Sequence, residues 1–245
     1  MTAVAARDTA PSTALAITLF GIAAAATVAL PLLPQVANRL PALGLTPVLD
    51  ERIRYQLLAL ALTGIVMGIA AVLAPASRRY LRRGDMGATV APARYLGLNP
   101  KPHETWRHVG RNFAIVLPTV TAVAVGFQVL KGNAMSGADA LWALPWAIGL
   151  AAANAVVEEG ICRFGVLAAL EDRFGANVAI AASAALFGGV HWFGVPGGLG
   201  GVALAGFLGA LLAKSIIETR GLGWALVLHF LVDVPILIAL LGVGR

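Results

Sequence analysis

Two adjacent carboxylates, Glu158 and Glu159, followed four residues later by Arg163, lie inside an otherwise apolar run. Two further apolar runs hold His191 and the pair His229 and Asp233. Ionisable groups within hydrocarbon cost about 2.5–3.5 kcal/mol each on insertion scales, so each needs a partner or a task. Residues four apart on a helix share a face, while neighbours diverge by ~100°. Glu159 and Arg163 are therefore expected to pair along one stripe. Glu158 should share another face with Asn154 and Cys162, without a counter-charge on its own helix. A carboxylate so placed is suited to take a proton from water as a general base. His229 with Asp233, and Phe187 with His191, are likewise four apart. At ~1.5 Å per residue, Glu158 and His191 fall ~18 Å from the inner boundary, Asp233 ~16 Å and His229 ~10 Å, which permits one common site near the midplane. Two imidazoles and a carboxylate also form a common catalytic zinc set with one position left for water. Glu158, His191, His229 and Asp233 are thus candidate ligands of a zinc ion, although a water held by Glu158 and His191 needs no metal.

Positioning these groups falls to membrane helices. The 245 residues are 59% hydrophobic and 12% charged, whereas about a quarter of the residues in soluble domains are charged. A bilayer core ~30 Å thick takes about 20 apolar residues per helical crossing. Seven such segments are predicted, at 13–33, 55–74, 109–130, 140–170, 176–192, 199–217 and 222–243. The expected fold class is all-α, a polytopic transmembrane helical bundle making a single membrane domain over residues 1–245. Pro31, Pro34, Pro41 and Pro75, then Pro196 with Gly197 and Gly198, punctuate the gaps, and Gly175 and Gly221 mark two more turns.

The formal charge of +6 raises nucleic acid as a partner, but the cations sit between apolar runs and not on one amphipathic face, which excludes it. The lipid bilayer is the expected surrounding. The polar stretch 76–108 carries Arg78, Arg79, Arg82, Arg83, Arg94, Lys101 and Arg107 and reads as a basic cytoplasmic loop under the positive-inside rule. That assignment makes the chain a multi-pass protein of the cell membrane with the N-terminus and Arg7 on the cytoplasmic side and Arg245 on the outer side. Twelve of the 18 Lys and Arg then lie on the inner side and five on the outer, with Arg163 inside a span. Arg52 and Arg54 run against the trend. The apolar stretch from Ala14 to Leu33 exceeds a secretory signal core and reads as an uncleaved first helix. Cys162 is the single cysteine, so no intramolecular disulfide forms.

Three of the segments carry recognisable patterns. EEGICR from Glu158 to Arg163 resembles the EExxxR motif, FGGVH from Phe187 to His191 the FxxxH motif, and HFLVD from His229 to Asp233 the HxxxN/D motif of the CPBP intramembrane proteases. That family includes CAAX prenyl endopeptidases, bacteriocin-processing and immunity (ABI) proteins, and lysostaphin-resistance-like proteins. The resemblance spans a protease-like core at about residues 94–243, because RYLGL from Arg94, followed by Trp106 ahead of a span, is also typical. It implies that Glu158 and His191 activate the attacking water, that His229 and residue 233 stabilise the oxyanion, and that Glu159 and Arg163 support the site. Two departures stand out. Phe164 intervenes between the arginine and Gly165, where many relatives have glycine directly after arginine. Position 233 is Asp, and an ionised carboxylate only accepts hydrogen bonds where Asn can donate one. Asp233 must then be protonated, orient His229, or ligate a metal.

Simpler roles remain for several of these residues. Glu159 with Arg163 serves as a structural ion pair, Cys162 as small apolar packing, Phe187 as a wall of the pocket, and Asn154 as either a helix–helix hydrogen bond or support for the site. His103 and His108 belong to the solvated basic loop. Gly206 and Gly209 suggest close helix packing, and the glycines at 197, 198, 200 and 201 form a turn, not a phosphate loop, since no Lys-Ser/Thr follows. The leading expectation is an intramembrane endopeptidase, metal-dependent or not, acting on a membrane-embedded or lipidated peptide or protein substrate. The alternative is a non-catalytic immunity or scaffold protein, or a small transporter that uses the same groups as a proton relay.

Overall fold

A computed structural model of the chain describes residues 10–132, 135–194 and 197–244. Arg7, Pro196 and Arg245, invoked above, lie outside the described residues. Ser12 opens the first helix by accepting a hydrogen bond from the Leu15 amide at 3.2 Å, which satisfies one of the four unpaired donors of a helix start. Helix α1 (Thr13–Ala29) tightens through Leu30–Leu32 into the short α2 (Leu33–Ala37). Helix α3 (Pro47–Leu73) starts on a proline, where the missing amide hydrogen costs nothing. Then follow α4 (Trp106–Gly132), α5 (Gly137–Glu158), a π-helical segment (Glu159–Gly165), α6 (Val166–Phe174), α7 (Ala176–Val190), α8 (Gly198–Thr219) and α9 (Gly223–Val243). Among the described residues, seven helical stretches are long and apolar enough to cross a membrane. The all-helical, seven-span expectation is met, and the chain is a multi-pass membrane protein.

The second span begins eight residues earlier than its apolar pattern, at Pro47 and not at 55. Its first turns carry Asp50, Glu51, Arg52 and Arg54, which read as a loop. Folding answers two of those charges locally: Arg54 pairs with Asp50 at 2.6 Å and donates to the carbonyls of Ala37 and Leu40 at 2.8 and 2.9 Å, closing the end of α2. Polar residues thereby become helix.

The π-helical turn resolves the extra residue after Arg163. Its i→i+5 bonding holds one more residue per turn than an α-helix, so Phe164 is taken up and is fully buried. Gly165 still meets the neighbouring helices, since a Cβ there would come within 3.2 Å of Ala23 and Val66. A Cβ on Gly160 would run into Thr63 at 2.5 Å, which fixes how closely α3 lies against this turn. Helices α7 and α8 also approach closely. A Cβ on Gly188 would lie 2.8 Å from the Val202 carbonyl oxygen, and one on Gly209 3.2 Å from Ala184. Gly209 is tight as expected, whereas the partner of Gly206 is the glycine at 188, which the motif reading passed over.

The long polar stretch is strapped down. Asp85 donates its amide to the Thr219 carbonyl at 2.7 Å, Leu222 to Arg82 at 2.9 Å and Gly223 to Arg83 at 3.1 Å. The expected turn at Gly221 is made by Arg220, which takes the left-handed conformation (φ 54°). Gly221 is there for proximity instead, because a Cβ would come within 2.3 Å of the Gly84 nitrogen. Glu218 gathers the rest: Lys214 donates to one oxygen, and the Trp106 indole donates to the other at 2.8 Å.

Candidate active site

Helix α5, the π-turn, α7 and α9 bring the expected residues together. Glu158 Oε2 lies 3.2 Å from His229 Nε2, and Glu159 Oε1 lies 2.6 Å from Nδ1 of the same ring. Asp233 Oδ1 is 3.7 Å from Nε2. Glu158 has no counter-charge on its own helix, as expected, and α9 supplies His229 across the helix interface. One expectation is corrected here: the adjacent carboxylates do not part ways, for both reach one imidazole from α9, Glu158 at Nε2 and Glu159 at Nδ1. The spread in estimated depth therefore closes.

The two carboxylates differ in access. Side-chain exposure is 17% for Glu158 and 0% for Glu159. Glu159 Oε1 also sits 3.5 Å from Arg163 Nε, so one buried oxygen serves both the cation and the imidazole. Arg163 is itself wholly buried, and its three nitrogens have no hydrogen-bond partner among the described residues. Its guanidinium carbon lies 3.6 Å over the Phe187 ring, an arrangement in which the ring's negative face offsets part of the cost of the buried charge. Glu159 is thus more than half of an ion pair, for it also holds His229.

Phe187 links the two histidines. Its ring centroid is 4.3 Å from that of His191 and 5.8 Å from that of His229. His191 Nδ1 lies 2.7 Å from the Phe187 carbonyl oxygen. A carbonyl oxygen only accepts, so Nδ1 carries the hydrogen, and the neutral tautomer with this bond has its lone pair on Nε2. That nitrogen can accept from water. Asn154 donates its amide to Asp233 Oδ2 at 2.9 Å, which settles which polar group Asn154 serves and fixes the carboxylate beside His229. Cys162 is buried, its sulfur 3.5 Å from the Thr27 hydroxyl and its carbonyl taken by Ser183 at 2.7 Å. Sequence reasoning missed Ser183 and Thr27, which carry no signal in a one-dimensional pattern.

The zinc alternative finds no ready cradle. His229 has carboxylates against both nitrogens, and among the described residues no group of three or more His, Cys, Asp or Glu could hold a metal ion. No step below passes through one. A groove of about 460 Å³ between α4, α5 and α9 is lined by Pro118, Leu144, Phe230 and Pro235 among others. It lies on the face of α9 opposite His229 and Asp233, so it is not this site.

Residues 140–235 match the family described as type II CAAX prenyl endopeptidase Rce1-like. The matched stretch contains all three motifs, and over it the resemblance to the CPBP intramembrane proteases holds. No curated protein and no solved structure matches the chain.

Proposed function

We propose, taking the similarity of residues 140–235 to type II CAAX prenyl endopeptidases as the premise, that the chain is an intramembrane endopeptidase that hydrolyses a peptide bond of a membrane-associated peptide or protein. One observation carries the reading: of two neighbouring carboxylates on one imidazole, Glu159 is sealed and Glu158 is open. The sealed group orients the ring; the open one meets water. Glu158 takes a proton from a water molecule that His191 Nε2 also holds, and the water oxygen forms a bond to the scissile carbonyl carbon. The carbonyl oxygen becomes an oxyanion, and positive charge on His229, itself held by Glu159, offsets it. Glu158 then returns its proton to the departing nitrogen as the C–N bond breaks, leaving a carboxylic acid and an amine.

Support for this division of labour lies in hydrogen bonding. Glu159 fixes Nδ1 of His229 much as a buried carboxylate orients the histidine of a hydrolytic triad, and Asn154 fixes Asp233. The cationic stretch 76–108, packed on the α8–α9 turn, supports an orientation with that face and the N-terminus on the cytoplasmic side. The test is hydrolysis by the purified chain in detergent, with membrane-anchored and C-terminally prenylated peptides as substrates and products identified by mass. Cleavage that disappears in Glu158→Gln supports the reading. Proton-coupled solute uptake into liposomes, without cleavage, would replace it with the transporter alternative.

A further inference from the structure

The proposed reaction needs a hydrogen-bond donor for the oxyanion, and the groups described so far are poor in free donors. Glu158, Glu159 and Asp233 accept when ionised. One of the two Asn154 amide hydrogens is given to Asp233, both nitrogens of His229 face carboxylates, and His191 Nδ1 is given to Phe187. Ser183 donates to Cys162 and Thr27 to Ala23. Arg163 lies sealed under the Phe187 ring.

A donor stands on α3, a helix outside the three motifs. Leu49 packs in one cluster with Ala143, Ala147 and Leu150 of α5, and Thr63 faces Gly160. Fourteen residues of α3 thus run beside about as many of α5, and the midpoint, Tyr55 with Gln56, falls level with Asn154, one turn from Glu158. Tyr55 packs against a buried cluster that joins Ala26, Leu30, Ala59 and Val66 to Val157, Ile161, Cys162 and Phe187, the last four beside the site. Its hydroxyl hydrogen-bonds no described residue and is not among the sealed polar atoms. Gln56 differs: its Nε2 is unpaired but closed off. The tyrosine hydroxyl, by contrast, is not closed off.

We infer that Tyr55, resting on the endopeptidase reading above, is a catalytic residue whose hydroxyl donates a hydrogen bond to the substrate carbonyl oxygen as it becomes the oxyanion, supplying from α3 the donor that a carboxylate at 233 does not. No covalent bond to Tyr55 forms, and its proton stays on the phenol.

The experiment measures kcat and KM of the full chain in detergent on a farnesylated peptide ending in Cys-aliphatic-aliphatic-X, for Tyr55→Phe, Asp233→Asn, the double variant and Glu158→Gln. Tyr55→Phe keeps the ring and its packing, and its kcat falls about 10²–10³-fold, the usual loss for one oxyanion donor, with KM within about twofold. Adding Asp233→Asn to that background restores part of kcat, because an amide at 233 can donate. A tyrosine that only packs would show neither the kcat-selective loss nor the rescue. Full kcat in Tyr55→Phe, or a double variant no better than the single, overturns the role of Tyr55. If Glu158→Gln is dead at the same time, the endopeptidase reading survives; if Glu158→Gln is fully active, that reading falls as well.

Discussion

Two clusters of charge hold this protein, and they are finished to different degrees. At the membrane edge, Glu218 takes hydrogen bonds from Lys214 and the Trp106 indole, while Glu171 takes them from Arg79 and Tyr80. Arg79 also holds Asp172 at 2.8 and 3.0 Å and leaves only its Nε without a partner among the described residues. Within the bundle, three carboxylates crowd one imidazole, the three Arg163 nitrogens have no hydrogen-bond partner among the described residues although Nε faces Glu159 at 3.5 Å, and Glu158 stays open on one side. A satisfied network fixes structure, whereas a buried polar group left incomplete must be held there by its surroundings. The first cluster ties the polar stretch to α8 through Glu218 and to α6 through Glu171 and Asp172. The second keeps one carboxylate free for work.

The contrast breaks first at the open carboxylate. Glu158→Gln preserves volume but cannot accept the water proton, so turnover should fall about 10²–10⁴-fold, the usual contribution of a positioned general base. Membrane insertion and thermal stability should hold, which a melting curve beside the peptide assay will show. Unchanged turnover would mean that access does not single out the reacting group. The sealed neighbour should behave oppositely. Glu159→Gln removes the negative charge facing both Arg163 and His229, and stranding a buried cation costs about 3–5 kcal/mol. A large drop in melting temperature is expected, together with lost activity. A stable Glu159→Gln chain would show that the Phe187 ring suffices for Arg163.

How much of this could be read in the sequence follows the same divide. Seven spans were legible, because hydrocarbon demands apolar length and nothing else in the chain supplies it. The assembly of Glu158, His191, His229 and Asp233 was legible too, since ionisable groups are rare in such spans. The convergence of Glu158 and Glu159 on His229 was not, because helical spacing describes one helix and α9 approaches from another. The start of α3 was missed for a related reason: Asp50 and Arg54 look like loop residues until they pair with each other. Tyr55 stood apart from every motif and becomes visible only once Leu49 and Thr63 fix the register of α3 on α5.

At the strap, effects should be smaller and confined to stability. Glu218→Ala leaves the Trp106 indole and Lys214 without their acceptor, and an unmade buried hydrogen bond costs about 1–3 kcal/mol. The loop 76–108 should become more sensitive to protease, while kcat per folded molecule stays as in the parent chain. A fall in kcat would tie the strap to the site after all.

The weakest effect expected is one of pH. Burial, reinforced by the Glu171 carboxylate, holds the Tyr80 hydroxyl above the ordinary tyrosine range, and Arg79 only partly offsets this. Because the folded state keeps that proton more tightly than the unfolded chain, the contribution is fully present below the unfolded value of about 10 and is lost as pH climbs from there through the folded value. Melting temperature should therefore decline more steeply above about pH 10 in the parent chain than in Tyr80→Phe. Near neutrality the two differ only by the hydroxyl's hydrogen bonds. Equal slopes would mean that Tyr80 titrates alike in both states, and the edge cluster would then be looser than its hydrogen bonds indicate.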